Sequence, residues 1–175
     1  MEMSTQPLII REIDSPIGKL VVGGKENTLY FIEHGSIEEK RSWMKQWINK
    51  NLPNTTLHTD NRAFQHAIDE LNQYFYHQNQ VFTTPIKLFG TPFQTQVWNT
   101  LRSIPYGQTV TYKDIAQKID NPKAVRAVGG AINKNPLSII VPCHRVIGSN
   151  KKLIGYRGGL DRKEKLLVIE NADVQ

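Results

Sequence analysis

Between Gly90 and Asn133 the chain is punctuated so closely that it admits little except short, packed helices. In GTPFQTQVWNTLRSIPYG, Thr91 can cap a helix and Pro92 suits its first position, where the missing N–H has no intrahelical partner. Gln94 completes a capping box. Phe93, Val97, Leu101 and Ile104 recur as an apolar stripe that Pro105 ends. TYKDIAQKID starts on a capping Thr111 and puts Tyr112, Ile115, Ala116 and Ile119 on one face. The turn DNP follows, with Asn121 and Pro122 capping a third helix, KAVRAVGGAIN. Two short helices across so tight a turn predict a helix-turn-helix.

The first half reads differently. LIIREI, KLVVGG and TLYFIEH are strand-like runs, with Gly23, Gly24 and Asn27 supplying turn residues. Helical spacing takes over from Ser36 to Lys50, marked by Trp43, Trp47 and Ile48. It returns from roughly Asp60 to His77, where Phe64, Ala67, Ile68, Leu71 and Phe75 make an inward stripe. These elements predict a small α/β domain over residues 1–85, a linker near Thr83 to Gly90, and a second, mostly helical domain over residues 88–175.

Composition allows a real core, with 39% hydrophobic residues, and no run approaches the ~18 apolar residues of a membrane helix. MEMSTQPLII lacks the basic start and cleavage site of a secretory signal. One cysteine cannot form an internal disulfide, so a soluble, cytoplasmic protein with a reduced thiol is expected. The net charge of +6 is uneven: residues 1–87 carry nine Lys/Arg against ten Asp/Glu, and residues 88–175 thirteen against six. A basic half beside a near-neutral one fits a polyanion-binding module, or a basic face kept for solubility.

The third helix is unusual. Val125, Val128 and Ile132 can face a core, which leaves Ala124, Ala127, Gly129, Gly130 and Ala131 around one long basic residue, Arg126. Two glycines cost roughly 2 kcal/mol of helix propensity, so close backbone approach to a neighbouring helix or to DNA should offset them. Such a face lacks the Asn, Gln and multiple Arg that read bases in the major groove, so any DNA binding should show little sequence preference.

NPLSIIVPCHRVIG holds the sole thiol, Cys143, ahead of His144 and Arg145. A thiol needs a base or a positive environment to become a nucleophile. Neighbours on a strand point apart, so cooperation between Cys143 and His144 requires irregular backbone or a bridging water. Pro136 and Pro142 make irregular backbone plausible. In the last helix, LDRKEKLLVIE, Asp161 and Glu164 resemble a capping box. Glu170 shares the face of Leu166 and Leu167, where a buried carboxylate would need a partner such as His144. Alone, these residues support cysteine nucleophilic chemistry of some kind.

PCHRV, preceded by RAVGGAINKNPLSIIV and followed by GYRGGLDRKEKLL, closely resembles the O6-alkylguanine-DNA alkyltransferases, without a gap from about Gly90 to Glu170. The resemblance implies a ribonuclease H-like α/β first domain and a winged-helix-like second one. It also implies a flipped O6-alkylguanine, or O4-alkylthymine, whose alkyl group passes irreversibly to Cys143 in a single turnover. His144 would act through a water as base, Glu170 would orient it, and Asn135 would shape the active-site turn. Tyr112 would donate toward the leaving base, and the carbonyls of Cys143 and Val146 would accept from its amino group. Arg126 would fill the space left by the flipped base. Ala127, Gly130, Ala131, Thr111 and Lys123 would meet double-stranded DNA in the minor groove, with the protein acting as a monomer. Tyr156, Arg157, Gly158, Val146 and Pro142 would wall the pocket. Arg157 stands where some members carry serine, which bears on tolerance of larger alkyl groups.

No cofactor is implied. Some relatives hold zinc in the first domain, but residues 1–87 have no cysteine, and His34, His58, His66 and His77 lack ligand spacing, so no metal is expected. A helix-turn-helix regulator with an incidental cysteine, and a multiple-turnover cysteine hydrolase, are the alternatives.

Overall fold

The computed structural model describes residues 6–173. The chain divides into two compact units, Met1–Phe89 and Gly90–Gln175. In the first, the alternating runs form strands β1 (Leu8–Ile13), β2 (Leu20–Lys25) and β3 (Thr28–His34), an antiparallel meander. A short β4 (Leu57–Thr59), too brief for its alternation to register in the sequence, pairs parallel with β1 and gives the order β3-β2-β1-β4. Leu20, Val21 and Val22 are all fully buried, so β2 is covered on both faces.

Helix α1 (Ile37–Asn51) starts on a capping box in which Ser36 Oγ accepts from the Glu39 N–H at 3.1 Å. Its Met44, Trp47 and Ile48 join Leu8, Ile10, Val21, Tyr30 and Phe31 in one core. Helix α2 (Gln65–His77) begins five residues later than its periodicity suggested. The Asp60 carboxylate accepts from the Arg62 N–H at 2.8 Å and holds a turn there, and Phe64 sits at φ 59°, outside helical geometry. All five residues of the expected stripe are buried.

The segment expected as a linker is instead built into this unit. Buried Glu70 accepts from the backbone N–H groups of Thr83 at 2.6 Å and Thr84 at 2.8 Å, and from both hydroxyls. The Leu29 N–H donates to Pro85 and the Lys87 N–H to Leu29, both at 2.9 Å, extending the sheet edge. Phe89 packs 4.9 Å from Tyr30 and 5.1 Å from Trp47 between ring centroids. A carboxylate in mid-helix and a threonine pair in a loop gave no local sign of meeting.

The pairing of β2 with β3 shifts register between Gly23 and Gly24. A Cβ on Gly24 would lie 1.9 Å from the Thr28 carbonyl oxygen, which is backbone and cannot rotate away. Gly24→Ala is expected to cost about 1–3 kcal/mol, the range for overpacked interiors. The measurement is a lowered urea midpoint with an unchanged m-value.

In the second unit, α3 (Pro92–Leu101) and α4 (Tyr112–Lys118) begin on the expected capping boxes at Thr91 and Thr111. Helix α3 stops at Leu101, ahead of Pro105, because the Ile104 N–H closes a turn onto Leu101. Helix α5 (Val125–Asn133) is capped by the backbone of Ala124, with no side-chain cap. Asn121 and Pro122 instead belong to a turn closed by the Ala124 N–H on the Asn121 carbonyl, at 3.0 Å. Helix α6 (Leu160–Ile169) starts after Gly159 at φ 95°, so Asp161 and Glu164 form no capping box.

Two readings of α5 are also corrected. Val125 is 37% exposed, since the first turn runs out beyond the core that Val128 and Ile132 enter. Ala131, expected on the outer face, is 4% exposed, and its carbonyl accepts from buried Trp98 Nε1 at 2.8 Å, tying α5 to α3. A two-stranded parallel pair, β5 (Val110–Thr111) with β6 (Val146–Ile147), completes the unit. Among the described residues no helix is long and apolar enough to cross a membrane.

Candidate active site

The loop after α5 is shaped by one side chain. Asn135, 2% exposed, donates from Nδ2 to the Val141 carbonyl at 2.8 Å and accepts at Oδ1 from the Leu137 N–H at 2.9 Å. That staple holds Ile139 at φ 77°, a conformation costly for a β-branched residue unless its surroundings enforce it. Buried Pro142 then leads into a single 3₁₀ turn, Cys143–Arg145, closed by the Val146 N–H on the Cys143 carbonyl. This is the irregular backbone the sequence demanded: successive residues project about 120° apart, so all three can be buried in different directions.

Glu170 caps the C-terminus of α6 and is 2% exposed. His144 Nε2 lies 2.9 Å from its Oε1. Arg145 donates from Nη2 at 2.6 Å and from Nε at 3.0 and 3.1 Å, and its Nη1 donates to the Ile104 carbonyl at 2.6 Å. Burial opposes ionisation of Glu170, but the hydrogen bonds and charges of His144 and Arg145 outweigh it and hold the carboxyl at about 2. Burial likewise pushes the His144 imidazole below its ordinary value, against the pull of Glu170. The charge partner of Glu170 at neutral pH is therefore Arg145, and His144 stays neutral, able to receive a proton. From the sequence, Arg145 was a cation beside the thiol; the turn geometry commits its guanidinium to Glu170.

The Cys143 thiol is 4% exposed, and burial raises its pKa against the lowering effects of Asn135, of the Lys163 charge and of a backbone N–H. Lys163 was not anticipated. It is fully buried, and its Nζ donates to the carbonyls of Val146 at 2.5 Å, Ile154 at 2.9 Å and Gly155 at 3.1 Å. Burial brings this lysine down to about 8, with the Cys143 charge acting the other way. A signal existed: Lys163 lies three and four residues before Leu166 and Leu167, on the inward face that singled out Glu170.

Tyr112 Oη donates to the Ile154 carbonyl at 2.9 Å, so in this state it faces the loop after β6. Arg157 Nη2 donates to the Asn135 carbonyl at 3.3 Å. Burial, together with the nearby Cys143 charge, raises the Tyr156 phenol well above its usual range. Val146 is fully buried, and the Gly158 carbonyl accepts from Arg162 Nη1 at 3.1 Å.

Beside these groups a cavity of about 610 Å³ is lined by Thr111, Tyr112, Arg126, Gly129, Ile154 and Gly155, among others, but not by Cys143. Arg126, Ala127 and Gly130 lie exposed on α5, and Lys123 is exposed just before it, whereas Ala131 faces the opposite way, into the core. The imidazole and the guanidinium thus gather on the Glu170 carboxylate within the unit, and the basic, small-residue helix face lies on its surface.

Comparison with known proteins follows the same division. Residues 8–88 match the family model of the 6-O-methylguanine DNA methyltransferase ribonuclease-like domain, and residues 92–172 that of the DNA binding domain. A methylated-DNA–protein-cysteine methyltransferase of Methanosarcina acetivorans is 43% identical over 91% of this chain and 96% of its own length. The inducible methylated-DNA–protein-cysteine methyltransferase of Bacillus subtilis is 49% identical over 71% of this chain and 70% of its own. The crystal structure of Mycobacterium tuberculosis OGT in complex with DNA superposes with a TM-score of 0.80 at 42% identity, covering 93% of this chain and 92% of that one. With both of its units matched and this identity held over nearly its whole length, the chain belongs to the 6-O-methylguanine DNA methyltransferase family.

Proposed function

We propose that this protein repairs O6-alkylguanine in double-stranded DNA by moving the alkyl group onto its own Cys143. The observation that carries the reading is the single thiol on a rigid 3₁₀ turn, next to a neutral His144 anchored on Glu170, in a chain of this family. His144 takes the thiol proton through a water, and Glu170 stabilises the imidazolium that results. The thiolate sulfur attacks the alkyl carbon, the carbon–O6 bond breaks with its electron pair on the guanine, and the base takes a proton from water, which regains one from the His144 imidazolium. Tyr112, transferring its hydroxyl from the Ile154 carbonyl to the base, stabilises the charge developing there. The carbonyls of Cys143 and Val146 receive the guanine amino group. A thioether has no leaving group that water can displace, so each molecule reacts once. A nucleophile that must remain reduced suits the cytoplasm.

The alkyl group of a stacked base is out of reach, and extruding the nucleotide costs a few kcal/mol. The surface of α5 is suited to that task. A helix with its side chains is about 10–12 Å across, whereas the minor groove is about 6 Å wide, so a face bearing Ala127 and Gly130 can press in where a larger one cannot. Arg126 is exposed on that helix and enters the vacated stack, while Lys123 and Thr111 approach phosphates. With no base-reading side chains on this face, a monomer binds with little sequence preference.

A Cβ at Gly130 would meet no atom within 4 Å. Gly130→Ala is therefore expected to stabilise the fold by about 0.5–1 kcal/mol through helix propensity. Gly130→Leu is expected to weaken duplex binding several-fold, read by fluorescence anisotropy beside a thermal melt.

The direct test mixes the protein with a duplex containing one O6-methylguanine. Intact mass should rise by one methylene per molecule, mapped to the Cys143 peptide, with no further turnover. An unchanged mass on a bound duplex, or catalytic excess of repaired DNA, would overturn the reading.

A further inference from the structure

The first unit is near neutral overall, yet its charges are segregated. Residues 1–87 carry nine Lys/Arg against ten Asp/Glu, but none of those ten falls between Lys40 and Thr59, where four of the nine basic residues stand. The four are Lys40, Arg41, Lys45 and Lys50, all on α1. Folding accounts for two of them. Lys40 Nζ pairs with buried Glu33 at 3.7 Å, and Lys50 sits in the last turn, where the helix dipole favours a cation. Arg41 and Lys45 have no such reason. They stand four residues apart on one row of the helix, a spacing at which like charges weaken it.

Met44, Trp47 and Ile48 fix the other side of α1 in the core, which turns one face steadily outward. Past the first turn that face consists of Arg41, Ser42, Lys45, Gln46, Asn49 and Lys50, all exposed, and each is a cation or a neutral hydrogen-bond donor. Arg41, Lys45 and Lys50 form no ion pair with any described residue, Glu38 one turn before Arg41 included. A rise of about 1.5 Å per residue sets Arg41 and Lys45 ~6 Å apart along the axis, near the ~7 Å of two phosphate steps on one DNA strand.

We propose that this face of α1 is a second DNA-binding surface, which holds backbone phosphates of duplex DNA in addition to the contacts made by α5. The proposal rests on the reading that the protein works on duplex DNA. Charge complementarity selects the occupant, since unpaired cations with neutral donors between them suit phosphate oxygens. Each cation that meets a phosphate releases condensed counterions, so the surface adds affinity that depends steeply on salt and not on sequence. It keeps the protein on DNA while α5 searches.

The test measures binding of a lesion-free duplex by fluorescence anisotropy across a range of salt. It compares wild type, Arg41→Gln/Lys45→Gln, Arg41→Lys and the control Lys25→Gln/Arg62→Gln, which removes the same charge from β2 and from the turn before α2. Single-turnover methyl transfer from a saturating O6-methylguanine duplex is followed beside it. None of these residues belongs to the Cys143 site, so transfer is expected at the wild-type rate throughout.

Losing two phosphate contacts in Arg41→Gln/Lys45→Gln should flatten the slope of log Kobs against log salt by about 2, at ~0.9 per phosphate, and weaken binding about tenfold at low salt. Arg41→Lys keeps its charge and the wild-type slope. The control keeps the slope as well, although its net charge falls equally. A wild-type slope in Arg41→Gln/Lys45→Gln, or a control that flattens as much, would rule the surface out and, where methyl still reaches Cys143, leave the alkyl-transfer reading standing. A slope flattened only by the α1 double variant, in proteins that take no methyl, would establish the surface and remove that reading.

Discussion

Cys143→Ser is expected to fold, to bind methylated duplex and to take no measurable methyl from it. The thiol is 4% exposed and lies on a turn whose backbone bonds do not involve the sulfur, so exchanging sulfur for oxygen leaves the staple at Asn135 and the Glu170 cluster in place. What changes is the nucleophile. A thiol has a small thiolate fraction near neutrality even when burial raises its pKa, whereas an alcohol has essentially no alkoxide there. Removing a nucleophile that acts as part of a unit costs on the order of 10³-fold or more. Single-turnover transfer of a labelled methyl group, beside duplex binding by anisotropy, separates the two properties. Full binding with no label on the protein is the expected pair; transfer within tenfold of wild type would remove Cys143 from the reaction.

Glu170→Ala should be the most destabilising substitution at the site. The carboxylate holds Arg145, itself 7% exposed, and anchors His144, so its removal leaves a buried guanidinium without its counter-charge, though still bonded to the Ile104 carbonyl. Breaking one side of a buried ion pair costs about 3–5 kcal/mol, a large share of the 5–15 kcal/mol typical of a whole domain. Denaturant unfolding at pH 7 measures it.

The pH dependence has a definite sign. The folded-state carboxyl is held at about 2 against an ordinary 4.5, so Glu170 contributes stability that is full above pH 4.5 and lost as the pH falls toward 2. At most this is about 3 kcal/mol. His144 acts in the same direction, since its folded pKa is depressed below 6.5 and acid favours the unfolded chain, where it protonates more readily. In Glu170→Gln the portion of the slope between pH 4.5 and 2 that belongs to this residue should disappear. A wild-type slope retained in that variant would show that other carboxylates carry it.

Much of the fold was legible because its signals are local. A capping box spans four residues, so Thr91 with Gln94 and Thr111 at the head of α4 could be read directly, and both helices start there. The inward stripe of α2 was also readable, although the start of the helix was not, because a turn at Asp60 and the left-handed Phe64 outcompeted propensity. Glu170 could be placed by the leucines sharing its face. Lys163 meets the same criterion, but a lysine on a helix is ordinarily solvated, so the pattern alone does not mark it as buried.

The remaining features depend on distant partners. Arg145 is adjacent to the thiol in sequence, but the 3₁₀ turn sends its guanidinium to a carboxylate 25 residues away. Ala131 belongs to a small-residue run that read as an outer surface, yet the helix rotation set by Val128 and Ile132 turns it against Trp98.

From its order of residues alone, this protein was committed to two kinds of architecture, to the starts of its helices, to one nucleophile and to an inward carboxylate. Those are properties of chemistry and short-range periodicity, and they survive without knowledge of distant neighbours. Only the packed chain decided which cation neutralises Glu170, that a lysine is buried beneath the loop, and that the supposed linker completes the first core. Each of these is a balance between desolvation and pairing, and that balance exists only once long-range contacts have excluded water.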